Sequence, residues 1–180
     1  MPSELTPMMK QYVKMKQLHP DCILFFRLGD FYEMFQEDAK LVSAELDLTL
    51  TTRDRNKPAE ERTPMCGVPY HSADAYIARL IAKGYKIAIC EQMEDPAAAK
   101  GLVDRDIIRI VTPGTVMNAS MLEEGRNNFI CAIYRDSAGT GLCVCDVSTG
   151  ELSAAFFPAG AEGEEHLYNE LGRIAPREAM

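Results

Sequence analysis

Phe31 and Glu33 are the first residues whose types and spacing raise a chemical question. They lie in the run Phe25-Phe26-Arg27-Leu28-Gly29-Asp30-Phe31-Tyr32-Glu33-Met34-Phe35. The run reads as two strands around a tight turn. Residues 23–28 are apolar and partly aromatic, Gly29-Asp30 is a two-residue hairpin signal because Gly accepts φ > 0 without steric cost, and residues 31–35 run back. Strand side chains alternate, so Phe31, Glu33 and Phe35 share one face while Tyr32 and Met34 share the other. A ring and a carboxylate two residues apart then stand side by side. A carboxylate beside aromatic rings is costly to bury without a partner. Two readings follow: the rings are core and Glu33 is their solvated neighbour, or the pair is a surface that meets something.

Other chemistry-bearing residues are sparser. His71 has no carboxylate or cysteine at metal-ligand spacing, so it reads as structural. Six cysteines, at 22, 66, 90, 131, 143 and 145, form no CxxC pair, which favours buried reduced thiols over zinc or a disulfide framework. No GxxxxGK[ST] phosphate loop is present, so no ATPase machinery is visible. The spacing therefore nominates no catalytic residue and no metal site.

Several elements must position the hairpin. Thr6-Pro7 starts a helix, with Thr as N-cap and Pro in the first turn. Its apolar residues Met8 or Met9, Tyr12, Met15 and Leu18 recur at helical spacing up to His19-Pro20. After the hairpin, Ala39, Val42 and Leu46 mark a second helix, with Glu37 and Asp38 in its first turn. Residues 47–53 alternate like a half-buried strand. Residues 53–62 form a charged loop whose acids largely cancel its bases. Pro64-Met65-Cys66-Gly67-Val68-Pro69-Tyr70-His71 reads as a rigid turn. Ser72 is placed to cap a helix carrying Tyr76, Ile77, Leu80 and Ile81, which stops at Lys83-Gly84. Strands follow over 85–90 and 105–111, with a short helical turn at 97–101 between them. Apolar periodicity lapses from 116 to 127. Strands over 129–134, 142–147 and 152–157 and a helix over 162–174 complete the chain.

The bulk numbers bound the partners. The 180 residues, 47% of them hydrophobic, suffice for one domain and part of another. No apolar run approaches the roughly 20 residues that span a membrane, and the first residues lack signal-peptide character. The net charge is −8, split as −3 over residues 1–127 and −5 over residues 128–180. Tight phosphate binding usually needs a basic stripe, so weak DNA affinity is expected of this chain alone.

Gly29-Asp30-Phe31-Tyr32-Glu33-Met34-Phe35 resembles the mismatch-reading signature of the MutS family of DNA mismatch repair proteins. Residues 6–12, 64–71, 88–92 and 110–115 resemble further blocks of that family's amino-terminal region, in the same order. The resemblance implies an α/β chain: a mixed-sheet mismatch-recognition domain with flanking helices over 1–115, a linker over 116–127, and over 128–180 the start of a ribonuclease H-like connector domain. It implies that Phe31 wedges beside a mispaired base and stacks on it, that Glu33 hydrogen-bonds that base, and that Arg53 and Arg105 approach the sugar-phosphate backbone. The implied partners are mismatched double-stranded DNA, a MutL-type repair protein and, for the full-length protein, a second copy. ATP and magnesium belong to the family's downstream ATPase domain, and none is expected in this fragment. The implied location is cytoplasmic, bacterial and nucleoid-associated. Two alternatives stand beside this. The acidic residues beyond 128 suit a protein-interaction module. Asp146-Val147-Ser148-Thr149-Gly150 loosely resembles the acidic strand end of ribonuclease H-like folds, but a two-metal nuclease needs converging carboxylates; Asp136 and Glu151 are nearby in sequence, with nothing there to fix their geometry.

Overall fold

The structure is a computed structural model that describes residues 5–54, 56, 58–96, 99, 101–116 and 127–180. It divides into two compact units, Met1–Val111 and Thr112–Met180. The fold is mixed α/β throughout.

In the first unit, α1 (Pro7–Leu18) starts where Thr6 Oγ1 accepts from the Met9 amide at 3.3 Å, with Pro at the first turn. It precedes β1 (Cys22–Leu28) and β2 (Phe31–Phe35), which pair antiparallel across the expected turn. Gly29 holds φ at +58° there, which an L side chain would resist. Next come α2 (Gln36–Leu46), β3 (Thr51–Thr52), β4 (Pro64–Pro69), α3 (Ala73–Ala82), β5 (Lys86–Gln92) and β6 (Arg105–Val111). The sheet order is β3-β4-β2-β1-β5-β6. Among the described strands of this sheet, β1 and β5 alone are parallel neighbours.

One face of this sheet packs under α1. Met9, Tyr12 and Met15 bury Cys22, Leu24, Phe26, Phe35, Ala88 and Cys90. The other face, with Phe25, Met34, Val68 and Ile87, packs against α2 and α3. Buried Asp38 ties the layers together. Its carboxylate accepts from the Leu24 amide at 3.0 Å and from Lys16 Nζ at 2.9 Å, so its charge is paired.

Three local expectations give way. Residues 47–53 are not a strand along their length. Asp47 takes the left-handed conformation that ends α2, at φ +57°, and the Leu48 amide bonds back to Ser43 O, so only Thr51 and Thr52 reach β4. Residues 64–69 are not a turn but strand β4, pairing with both β3 and β2; its prolines sit at the two ends, where a missing donor costs least. Ser72 does not cap α3, because its hydroxyl donates to Pro69 O at 3.2 Å. Residues 97, 98 and 100 of the short helical turn expected at 97–101, and residues 117–126 of the linker expected over 116–127, lie outside the described residues.

In the second unit, β7 (Phe129–Arg135), β8 (Gly139–Asp146) and β9 (Glu151–Pro158) form an antiparallel meander. α4 (Ala161–Ile174) then packs Leu167 against Cys131, Leu142 and Val144. A short β10 (Glu178–Ala179), not anticipated, pairs parallel with β7. Residues 112–116 pack with this unit: the Asn128 side-chain amide donates to Gly114 O at 3.0 Å. A Cβ on Gly114 would meet Ile130 Cγ2 at 2.1 Å. Contacts group residues 112–116 with the second compact unit. Among the described residues no helix is long and apolar enough to cross a membrane.

Candidate nucleic-acid interface

The face that carries Phe31, Glu33 and Phe35 is the α1 face. The register sets Glu33 opposite Phe26, and Phe31 opposite Leu28. α1 covers only part of it. Phe35 is 1% exposed, its ring edge-on to Tyr12 at 5.0 Å between centroids. The Tyr12 hydroxyl also accepts from the Phe35 amide and donates to its carbonyl. Two residues back, Glu33 is half-buried. Two further back, Phe31 is 46% exposed, beyond the end of the helical cover.

Glu33 is held in a constrained setting. Burial pushes its carboxyl above the usual carboxylate range, and Arg53 pulls it part of the way back. Arg53 Nη1 lies 3.3 Å from Glu33 Oε2, with the arginine half exposed. Across the ladder, Glu33 faces Gly67 of β4 and Phe31 faces Pro69. A Cβ on Gly67 would stand 3.5 Å from Glu33 Cγ and 3.2 Å from Tyr32 O. The bare glycine therefore leaves the carboxylate open on that side.

The two arginines nominated for the DNA backbone are placed differently. Arg53 stands at the surface beside Glu33. Arg105 is 4% exposed. Its Nε donates to Arg27 O at 2.8 Å, and Nη1 donates to Gln11 Oε1 and Val103 O. Its guanidinium stacks 5.0 Å from the Phe26 ring centroid. A phosphate would have to displace these contacts. Burial also lowers the Arg105 pKa.

Arg27 and Tyr70 belong to the same neighbourhood and carried no role in the sequence reading. The Arg27 guanidinium lies 3.5 Å from the Tyr70 ring centroid, on the face opposite Phe31. Arg27 could have been found from the hairpin register alone, since a turn at 29–30 forces it beside Tyr32. Tyr70 could not, because its approach depends on β4.

The other candidates do not assemble a site. Asp146 is buried; its Oδ1 accepts from the Ser148 amide at 2.9 Å and the Ser148 hydroxyl at 2.6 Å, capping the β8–β9 turn. Those bonds hold its carboxyl below the usual range. Asp136 likewise caps its own turn, through the Ala138 amide. Among the described residues no three His, Cys, Asp or Glu side chains gather as metal ligands. All six cysteines are free, four of them buried. His71 is exposed, edge-on to the Tyr70 ring.

An exposed ring beside a half-buried carboxylate on an open sheet face suits a flat partner better than a small enclosed one. The family described as MutS domain I matches residues 6–120, and that described as MutS domain II matches residues 128–180. A protein of Symbiobacterium thermophilum named DNA mismatch repair protein MutS is 55% identical over 179 residues, 99% of this chain and 20% of the relative. Proteins of the same name from Acetivibrio thermocellus and Desulforamulus reducens are 54% and 56% identical over 178 and 177 residues, again 20% of each relative. The chain belongs to the MutS family, and it spans about a fifth of the length of these relatives.

Proposed function

We propose that the first unit reads mispaired bases in duplex DNA, with Phe31 as the wedge and Glu33 as the hydrogen-bonding group. One observation carries this: Phe31 is 46% exposed on the same strand face on which Phe35 is fully buried. Exposing a ring at the end of a packed row costs burial that the fold could otherwise have used.

The ring inserts beside a base and unstacks that step, at a cost of a few kcal/mol. A mispaired step has less pairing and stacking to lose, so it kinks more easily, and this difference in deformability is the discrimination. Stacking on a base is worth roughly 1–3 kcal/mol and tolerates any base, which suits a reader of many mispairs. Glu33 then meets the displaced base edge. Its carboxyl is already raised by burial, and nearby phosphates raise it further. Protonated, it donates to a purine ring nitrogen; ionised, it accepts from a thymine ring N–H. Arg53, freed from Glu33, is the arginine placed to meet a phosphate, and Arg105 serves inside the fold.

In this reading residues 1–115 are the reading domain, 116–127 a linker and 128–180 the opening of the connector domain. The ATPase, with ATP and magnesium, the homodimer and the MutL-type contact belong to the longer protein, in the cytoplasm at the nucleoid. A second role, protein contact through the second unit, is favoured by Tyr134, Leu152 and Phe156, exposed on its sheet, and by the −5 charge over residues 128–180.

The deciding experiment is fluorescence anisotropy of the full-length protein on a G·T duplex and its matched control. Wild type prefers the mismatch and Phe31→Ala loses that preference. A preference that survives Phe31→Ala removes Phe31 from the reading site.

A further inference from the structure

We propose that Arg27 is the positioning residue for the Phe31 ring: clamped between Tyr70 and Glu91, it stiffens the hairpin tip against the load of wedging. This rests on the reading of Phe31 given above.

Phe31 is the first residue after a two-residue turn, where a hairpin is weakest. On one side β4 pairs with β2 out to Phe31 and Pro69; on the other, backbone pairing of β1 with β5 ends at Phe26 and Cys90, so the β1 arm of the tip relies on side chains there. A ring that must part stacked bases needs a base that does not tilt. If the tip yields, the unstacking work goes into bending the protein, and easy and difficult steps are no longer told apart.

The contacts around Arg27 address that weakness. Its side chain stands beside Tyr32, on the sheet face opposite Phe31. Its guanidinium lies 3.5 Å from the Tyr70 ring centroid and 5.6 Å from that of Tyr32. Nη1 sits 3.4 Å from Glu91 Oε1, which also accepts from the Tyr32 hydroxyl. Nε donates to Gly29 O, inside the turn. The Tyr70 amide donates to Asp30 O at 2.9 Å. Both turn carbonyls are thus held, one by Arg27 and one by the residue on which Arg27 stacks. The Arg27 carbonyl, left without a partner on β5, accepts from Arg105 Nε. The Arg27 side chain is only 16% exposed, so it serves the hairpin rather than the solvent. A planar fork that stacks and donates in its plane is an arginine property that lysine lacks.

The test compares affinities for a G·T duplex and a matched duplex, by anisotropy of the full-length protein. Arg27→Ala is expected to lower the mismatch-to-match ratio about tenfold, within the worth of one stacked base. Matched-duplex affinity is expected to stay within about twofold, and Arg27→Lys to restore only part of the ratio. In a Phe31→Ala background, Arg27→Ala should lower the ratio no further, because it acts through that ring. Tyr70→Leu keeps bulk but removes the stacking surface; it should lower the ratio in the same direction, and it decides the matter if Arg27→Ala does not fold. Equal losses on both duplexes, or a further loss without Phe31, would mean a merely structural arginine and overturn the proposal. A ratio unchanged by Phe31→Ala alone overturns instead the reading on which the proposal rests.

Discussion

Phe31 and Phe35 are the same residue type on the same face of one five-residue strand, yet one is 46% exposed and the other 1%. The difference lies in what stands above them. Tyr12 of α1 closes over Phe35, whereas among the described residues Phe31 is left about half uncovered. A strand can therefore carry core at one end and an exposed aromatic surface at the other without any change in its pattern. Glu33 sits at the boundary, where partial burial pushes its carboxyl above the usual range.

The comparison can be broken from either end. Phe35→Ala should cost the most, about 3–5 kcal/mol of stability, as for other buried Phe truncations; urea unfolding measures it, and a loss under about 1 kcal/mol would mean that Phe35 is not core. Phe31→Ala should change stability by less than about 0.5 kcal/mol while removing roughly 1–3 kcal/mol of mismatch preference. Large stability loss at both positions would erase the distinction. Arg53→Ala comes next. It should weaken matched and mismatched binding alike, reducing the salt slope by about 1 if Arg53 meets one phosphate. It should also raise the Glu33 pKa further, visible by NMR titration of the carboxyl.

Glu33→Gln should give the smallest change. The folded protein holds the Glu33 proton more tightly than the unfolded chain does. Stability from this group is therefore full below the unfolded carboxylate value, near 4.5, and is lost as pH rises through the folded pKa. Glu33→Gln should remove that slope and leave the protein slightly more stable at neutral pH by thermal unfolding. If Glu33 binds as the acid, wild-type mismatch affinity falls with rising pH and Glu33→Gln flattens the profile. A variant as pH-dependent as wild type would rule out protonation.

Much of the fold was legible because local signals agree with it. Thr6-Pro7 starts α1, Gly29-Asp30 turns the hairpin, Gly84 follows α3 with φ +90°, and the run over 105–111 is β6. Each is an effect of chain stereochemistry, which neighbours in sequence determine. Residues 47–53 and 64–69 misled for the converse reason. Alternation at 48–50 was overruled by the left-handed cap at Asp47. Two prolines and a glycine at 64–69 became a strand because β2 and β3 offered partners on both sides.

The candidate site divides in the same way. The sequence alone determined that Phe31 and Glu33 share a face, because strand alternation has a period of two. It also determined the turn that sets Arg27 beside Tyr32. Only the tertiary structure decided that Phe31 is uncovered and Phe35 covered, since that depends on where α1 ends over the sheet. Only the tertiary structure sent Arg53 to the surface and Arg105 inside, where Arg27 O, Gln11 and Val103 take its donors. Burial and partnering are properties of neighbours distant in the chain, and no spacing of residues encodes them.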